Sequence, residues 1–209
     1  MNLHLNILDT KRQAILPLLK DFSKHGFYLA GGTGLALLLG HRDSIDFEFY
    51  KEGDFDTDIL IENITKLFIT HQLTVTQKEI NSVSVLIDKK IQISFFGYHH
   101  SLLMPLVKSD YFDIATMLDI GCMKLSAITS HYVEKDYVDL YFILQNLPLP
   151  ELLESFIKKY PNFDKTLIIK SLVYFDDLTE EPILFKENHN VSLETIKEFL
   201  RKTVKDYLK

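Results

Sequence analysis

The spacing of hydrophobic residues changes repeatedly along the first half of the chain, and each change marks a new element. Ile15, Leu18, Leu19 and Phe22 recur at helical intervals, with Asp9 or Thr10 available as N-cap, so a helix is expected over residues 11–24. Pro17 lies inside that pattern, where it removes a backbone donor, and Gly26 ends it. Residues 27–30 read as a short buried strand. Gly31-Gly32-Thr33-Gly34 reads as a tight turn, leading into a brief apolar helix at 35–39 that Gly40 closes. Residues 45–49 alternate strictly, which predicts a two-faced strand. Ile45, Phe47 and Phe49 should face the core, with Asp46 and Glu48 on the other side. A helix is expected over 54–71, then three strands at 73–78, 82–87 and 91–96, the last two joined by Asp88-Lys89-Lys90.

Beyond Tyr98 the pattern becomes helical. Helices are expected at 119–130, 135–145, 151–159, 164–175 and 193–208, and no strand is expected from Asp113 onward. This order predicts an α+β chain: a mixed β/α domain over 1–108, then a helical bundle over 109–209. The helix from 135 is apolar nearly all round and should be the buried centre of the bundle.

The composition narrows the class. With 46% hydrophobic and 25% charged residues in 209, the balance is that of a soluble globular protein. The longest apolar runs are too short to cross a bilayer, and the first residues lack a basic patch followed by an apolar run. No membrane association is expected, and a cytoplasmic location is. Cys122 is the single cysteine, which excludes an intrachain disulfide and a thiolate zinc site. The net charge of -6 argues against bulk electrostatic binding to nucleic acid and suits a nucleotide held through a cation.

The chemistry concentrates between residues 31 and 48. Gly31 and Gly32 let backbone approach a phosphate, the following helix offers free N–H groups, and Thr33 adds a hydroxyl. Asp46 and Glu48, two apart on a strand, project from one face. Their mutual repulsion is relieved by a divalent cation, and hard oxygen ligands suit Mg²⁺ (or Mn²⁺), which also bridges to the phosphates of an NTP. A solvated strand face is the plainer reading of either acid alone. His41 and Arg42 precede the acids, and two roles are open to them: touching a triphosphate or structuring the turn. Tyr98-His99-His100 reads as a surface loop, because adjacent histidines on a strand point apart. Lys197, Arg201, Lys202, Lys205 and Lys209 make the last helix basic, as a solvated face or an RNA-contacting one.

The run from Tyr28 to Tyr50 resembles the signature of nucleotidyltransferases of the AbiEii/AbiGii toxin type, in the DNA-polymerase-β-like superfamily. Asp119-Ile120-Gly121-Cys122-Met123-Lys124, followed by Lys135-Asp136-Tyr137-Val138-Asp139, is similar to a second block of that family. The resemblance implies a polymerase-β-type core of mixed sheet and flanking helices, with a C-terminal helical bundle. It implies phosphate binding by Gly32 and Thr33 with Gly31 shaping the turn, and metal binding by Asp46 and Glu48. Lys124 would contact the nucleotide phosphates, and Asp136 or Asp139 would complete the site. Snorkelling of Lys124, and helix-dipole roles for the two aspartates, stand beside those roles. The implied activity moves a nucleoside monophosphate to a hydroxyl on an RNA end, such as that of tRNA, or on a protein. The implied partner is an antitoxin.

Three departures qualify the resemblance. Glu48 stands where Asp is more usual, Ser94 where many relatives place a third carboxylate, and His131 where an arginine is often found. They motivate an alternative reading: a catalytically weakened nucleotide-binding or protein-interaction module on the same fold.

Overall fold

Asp9 caps the first helix, α1 (Thr10–Lys24), by accepting the Arg12 backbone N–H at 2.9 Å. The computed structural model describes residues 2–186 and 188–209. α1 runs unbroken through Pro17, which faces solvent, so water can serve the carbonyl that the proline leaves without a donor. The chain divides into two units. The first comprises Met1–Gly40, Ser44–Ser101 and Pro105–Ala115; the second comprises His41–Asp43, Leu102–Met104 and Thr116–Lys209.

In the first unit, β1 (Tyr28–Leu29), β2 (Phe47–Glu52), β3 (Leu73–Glu79), β4 (Ser82–Ile87) and β5 (Ile91–Tyr98) form one sheet in the order β1-β2-β5-β4-β3. β2 and β5 run parallel and the other pairs antiparallel, so the sheet is mixed. α2 (Gly31–Leu39) links β1 to β2, and α3 (Thr57–Leu67), capped by Asp56, links β2 to β3. Asp88 and Lys89 both take positive φ in the β4–β5 hairpin, as a tight two-residue turn requires. One sheet face carries Phe47, Phe49, Val83, Val85, Ile93 and Phe95, all 0% exposed. Phe22 of α1 meets Phe49 and Phe95 edge-on there, with ring centroids 5.3 and 4.7 Å apart.

Two local expectations are corrected. The glycine-rich segment is not a turn before a helix: the helix begins at Gly31, after the non-helical Ala30. Ile45 does not face the core. It is 54% exposed, and the strand starts two residues later at Phe47. The chain at Ile45 is instead held by its backbone, whose carbonyl accepts from Arg12 Nε at 2.6 Å.

The second unit is helical: α4 (Met117–Ala127), α5 (Glu134–Asn146), α6 (Leu149–Lys159), α7 (Lys165–Ser171) and α8 (Leu193–Tyr207). α5 is its buried centre, with Tyr137, Val138, Leu140 and Ile143 fully enclosed. Asp119 of α4 and Lys159 of α6 form a buried ion pair at 2.8 Å, and Asp119 also accepts the Leu103 N–H at 2.9 Å. The tripeptide His41–Asp43 belongs to this unit and pairs with the strand-like stretch near Phe185. The Asp43 N–H donates to the Leu184 carbonyl at 2.8 Å, and the Lys186 N–H to that of His41 at 3.0 Å. Among the described residues, no named strand follows Tyr98, and no helix is long and apolar enough to cross a membrane.

Candidate active site

The glycine segment and the acid strand meet within the first unit. Gly31 takes φ 62°, in the left-handed region where only glycine is free of steric cost. The Glu48 side chain lies against it. A β-carbon built on Gly31 would overlap Glu48 Oε2 and sit 3.0 Å from Cδ. The two backbones are also joined, with the Ala30 N–H donating to the Glu48 carbonyl at 3.0 Å. The first turn of α2, at Gly31, Gly32 and Thr33, therefore opens beside a carboxylate on β2. The early N–H groups of a helix have no acceptor within it, so they are available to an anion.

Thr33 is 1% exposed, and its hydroxyl is already engaged. It donates to the Asp46 carbonyl in a short hydrogen bond and lies 2.7 Å from Ser44 Oγ. Its observed work is to tie α2 to the segment entering β2. Asp46 is exposed and directly precedes that strand. Arg12 completes the frame from α1, bonding the Ile45 carbonyl and, through Nη2, that of Lys90 at 3.1 Å. The sequence reading missed Ser44 and Arg12. Arg12 carried a signal, because it falls on the apolar stripe of α1 with Ile15, Leu16 and Leu19, where an arginine needs partners.

Ser94 is the register partner of Glu48 on the parallel strand β5. It is buried, and its hydroxyl lies 2.9 Å from that of Ser84 on β4. The position beside Glu48 where a third acid is often found thus holds a neutral hydroxyl pair. Among the described residues, no three His, Cys, Asp or Glu side chains gather as a metal-holding group. The oxygen donors here are the two carboxylates, Asp46 and Glu48. That set fits Mg²⁺, which keeps several waters and takes phosphate oxygens to fill its shell.

The remaining sequence candidates meet in the second unit. Asp139 is fully buried and receives four donors: Arg42 Nε and Nη2 at 2.8 Å each, His41 Nε2 at 2.9 Å and Lys124 Nζ at 2.8 Å. Lys124 Nζ also pairs with Asp136 Oδ1 at 2.5 Å, and His131 Nε2 lies 3.4 Å from Asp136 Oδ2. Arg42, Lys124, Asp136 and Asp139 therefore form one charge-balanced network with little solvent access. Burial alone would raise the Asp139 pKa, but Arg42, Lys124 and His41 hold it well below the ordinary carboxylate value. For Lys124, burial works to lower the pKa, and the two aspartates outweigh it and raise it. His41 is depressed, chiefly by burial, and its Nδ1 has no hydrogen-bond partner among the described residues. Burial pushes the Cys122 thiol up to about 12, so it stays protonated and unreactive. His99 and His100 lie at the end of β5; His99 Nε2 is 3.2 Å from Asp54.

A family model described as "Nucleotidyl transferase AbiEii toxin, Type IV TA system" matches residues 16–209. The chain belongs to the AbiEii family. It is thereby a member of a nucleotidyltransferase toxin family, as the two motif blocks implied. The uncharacterized protein aq_aa25 of Aquifex aeolicus (strain VF5) is 38% identical over 188 residues, covering 87% of this chain and 88% of its own. MenT4, a nucleotidyltransferase toxin from Mycobacterium tuberculosis H37Rv, superposes with a TM-score of 0.64 at 14% identity, over 92% of this chain and 80% of that one. JHP933 from Helicobacter pylori gives 0.60 at 13%, over 95% and 92%. At such identities the likeness is one of fold. The AbiEii chain is α+β with a polymerase-β-type nucleotidyltransferase core, as expected.

Proposed function

We propose that this AbiEii-family chain transfers a nucleoside monophosphate from an NTP to a hydroxyl acceptor and releases pyrophosphate. The observation that carries the reading is the Glu48 carboxylate lying against the Gly31 backbone at the start of α2. Amides of the first turn, at Gly31, Gly32 and Thr33, receive the triphosphate. Asp46 and Glu48 would hold Mg²⁺ or Mn²⁺. When bound, that ion supplies positive charge to the phosphates and lowers the pKa of the attacking hydroxyl. Thr33, Ser44 and Arg12 keep the acid segment in register with the helix start. In the second unit, Asp139 holds Arg42 and Lys124 in fixed positions, and Asp136 shares Lys124. The nucleotide roles that the resemblance implies for Arg42, Lys124, Asp136 and Asp139 act through that network. The acceptor hydroxyl belongs to an RNA end such as that of tRNA, or to a protein. Family membership supports toxin action in the cytoplasm, neutralised by an antitoxin.

The Ser94–Ser84 pair favours one second reading, a weakened nucleotide-binding or interaction module, because no carboxylate stands beside Glu48 on β5 to draw a proton from the acceptor.

One experiment separates them. The full chain is incubated with Mg²⁺, each NTP radiolabelled at its α-phosphate, and total RNA or lysate, beside an Asp46→Ala/Glu48→Ala control. Label on a macromolecule with the wild type alone supports the transferase. Mg²⁺-dependent NTP binding with no label on any macromolecule supports the module.

A further inference from the structure

The two acids are held by different means. Glu48 lies within β2: Ser94 is its register partner on β5, and its carbonyl accepts the Ala30 N–H at 3.0 Å, so the sheet sets where its side chain leaves the backbone. Asp46 lies before the strand. The pairing of β2 with β5 begins at Phe47↔Ile93, one residue after it. No rung of that ladder fixes the Asp46 dihedrals, and a carboxylate turns with the backbone that carries it.

Two helix side chains take the place of the missing rung. Arg12 Nε of α1 donates to the Ile45 carbonyl at 2.6 Å, and the Thr33 hydroxyl of α2 donates to the Asp46 carbonyl. These carbonyls belong to the two peptide planes on either side of the Asp46 Cα. Peptide units are rigid, so pinning both planes fixes φ and ψ between them. Arg12 reaches further: its Nη2 donates to the Lys90 carbonyl at 3.1 Å, directly before β5 starts at Ile91. One guanidinium therefore spans the entries of both parallel strands beyond their last register pair. Asp9, the N-cap of α1, pairs with Nη1 and balances the buried charge. A planar fork with all three nitrogens engaged keeps little freedom. Burial obliges an arginine to find acceptors, but any loop carbonyl would meet that need; here one of them belongs to the peptide that leads into an acid.

We infer that Arg12 is a positioning residue for the metal site: through the Ile45–Asp46 peptide it sets the direction of the Asp46 carboxylate, and with it the choice of cation. The inference rests on the reading of Asp46 and Glu48 as metal ligands. Mg²⁺ demands near-ideal octahedral geometry, whereas Ca²⁺ accepts more ligands in a looser arrangement. A loosened Asp46 therefore costs Mg²⁺ more than Ca²⁺. Packing alone carries no such preference.

The test follows the thermal midpoint of the full chain as MgCl₂ or CaCl₂ is added separately, since an ion bound to the folded state raises the midpoint with its concentration. Arg12→Met keeps a buried stem without the fork. It should weaken apparent Mg²⁺ affinity by about tenfold or more, the usual cost of losing a partner behind a metal ligand, and leave that for Ca²⁺ within about twofold. Equal loss for both ions, or loss for neither, overturns the inference. In the ion-free chain, amide exchange over residues 44–47 should rise in the variant while that of β4 stays as in the wild type. Unchanged exchange at 44–47 overturns the inference too. Should Arg12→Met not fold, Arg12→Lys takes its place and is held to the same outcomes, because an ammonium lacks the planar fork that reaches both carbonyls. A wild type whose midpoint neither ion moves, or moves no more than in Asp46→Ala/Glu48→Ala, sinks the metal-site reading itself. A wild type that responds through those acids, beside an Arg12 variant of unaltered preference, sinks the positioning role alone.

Discussion

The Glu48 carboxylate occupies the space that a side chain on Gly31 would fill. The first residue of α2 must therefore lack a β-carbon for two separate reasons: its backbone is left-handed, and an acid needs the room. Gly31→Ala should cost about 1–2 kcal/mol for the backbone alone, and should also displace Glu48. The expected outcome is a lower urea midpoint with loss of Mg²⁺-dependent NTP binding. In Gly31→Ala/Glu48→Ala, the stability loss should be smaller than the sum of the single losses, because the overlap is gone. Strict additivity in that cycle would show that the two residues do not collide.

Thr33 predicts a different signature. Thr33→Val keeps shape and burial but removes the hydroxyl that holds the Asp46 carbonyl and meets Ser44. A stability loss of about 1 kcal/mol is expected, since the partly buried Asp46 carbonyl loses its donor. Transfer activity should fall while the fold survives, and Thr33→Ser should restore both. Full activity in Thr33→Val would mean that the acid segment needs no such tie.

Asp139 carries the largest expected stability effect. Removing it leaves the Arg42 guanidinium and the Lys124 ammonium buried, with Asp136 the carboxylate that pairs with Lys124. Asp139→Ala should destabilise by about 3–5 kcal/mol, the range for breaking a buried ion pair from one side. Chemical denaturation measures it directly, and a loss below about 1 kcal/mol would contradict the network.

His41 sets a pH dependence. Its Nε2–H donates to Asp139, and its buried ring is charge-coupled to Arg42 and His189. Burial depresses its pKa below the ordinary 6.5, so the unfolded chain takes up a proton that the folded chain refuses. Stability from this group is complete above pH 6.5 and declines as pH falls toward the folded value, by at most about 1.4 kcal/mol per pH unit. The depressed Asp139 pKa adds a further loss only below the ordinary carboxylate value of 3.8. His41→Gln, which can still donate to Asp139, should be less sensitive between about pH 7 and pH 5. Parallel stability–pH curves for variant and wild type would rule His41 out.

Much of this arrangement was legible in the sequence because it is local. β4 has the expected bounds, since turn residues flank its apolar run on both sides. The order strand, glycines, helix, acid strand was enough to bring Gly31 and Glu48 together. The errors arose where a distant side chain decides the outcome. Ile45 looks like a core residue by alternation alone, yet it is exposed, and its carbonyl accepts from Arg12, 33 positions earlier. Asp139 meets His41 and Arg42 from 98 and 97 positions away, and the Asp119–Lys159 pair spans 40, so no periodicity announces either. Glycine's low helix propensity argued for a turn at 31–34, yet the Gly34 N–H finds the Ala30 carbonyl at 3.0 Å and the segment is helical.

The affiliation of His41–Asp43 bears on how such a protein can be recombined. These three residues lie covalently between α2 and β2, but their hydrogen-bond partners are Asp139, Leu184 and Lys186 in the bundle. A crossover that grafted a foreign bundle after residue 115 would strand Arg42 and His41 without their carboxylate. Exchange of the C-terminal half therefore has to carry a matching tripeptide deep inside the N-terminal half, and single-breakpoint chimeras should fail to fold unless the donor keeps an acid at the position of Asp139.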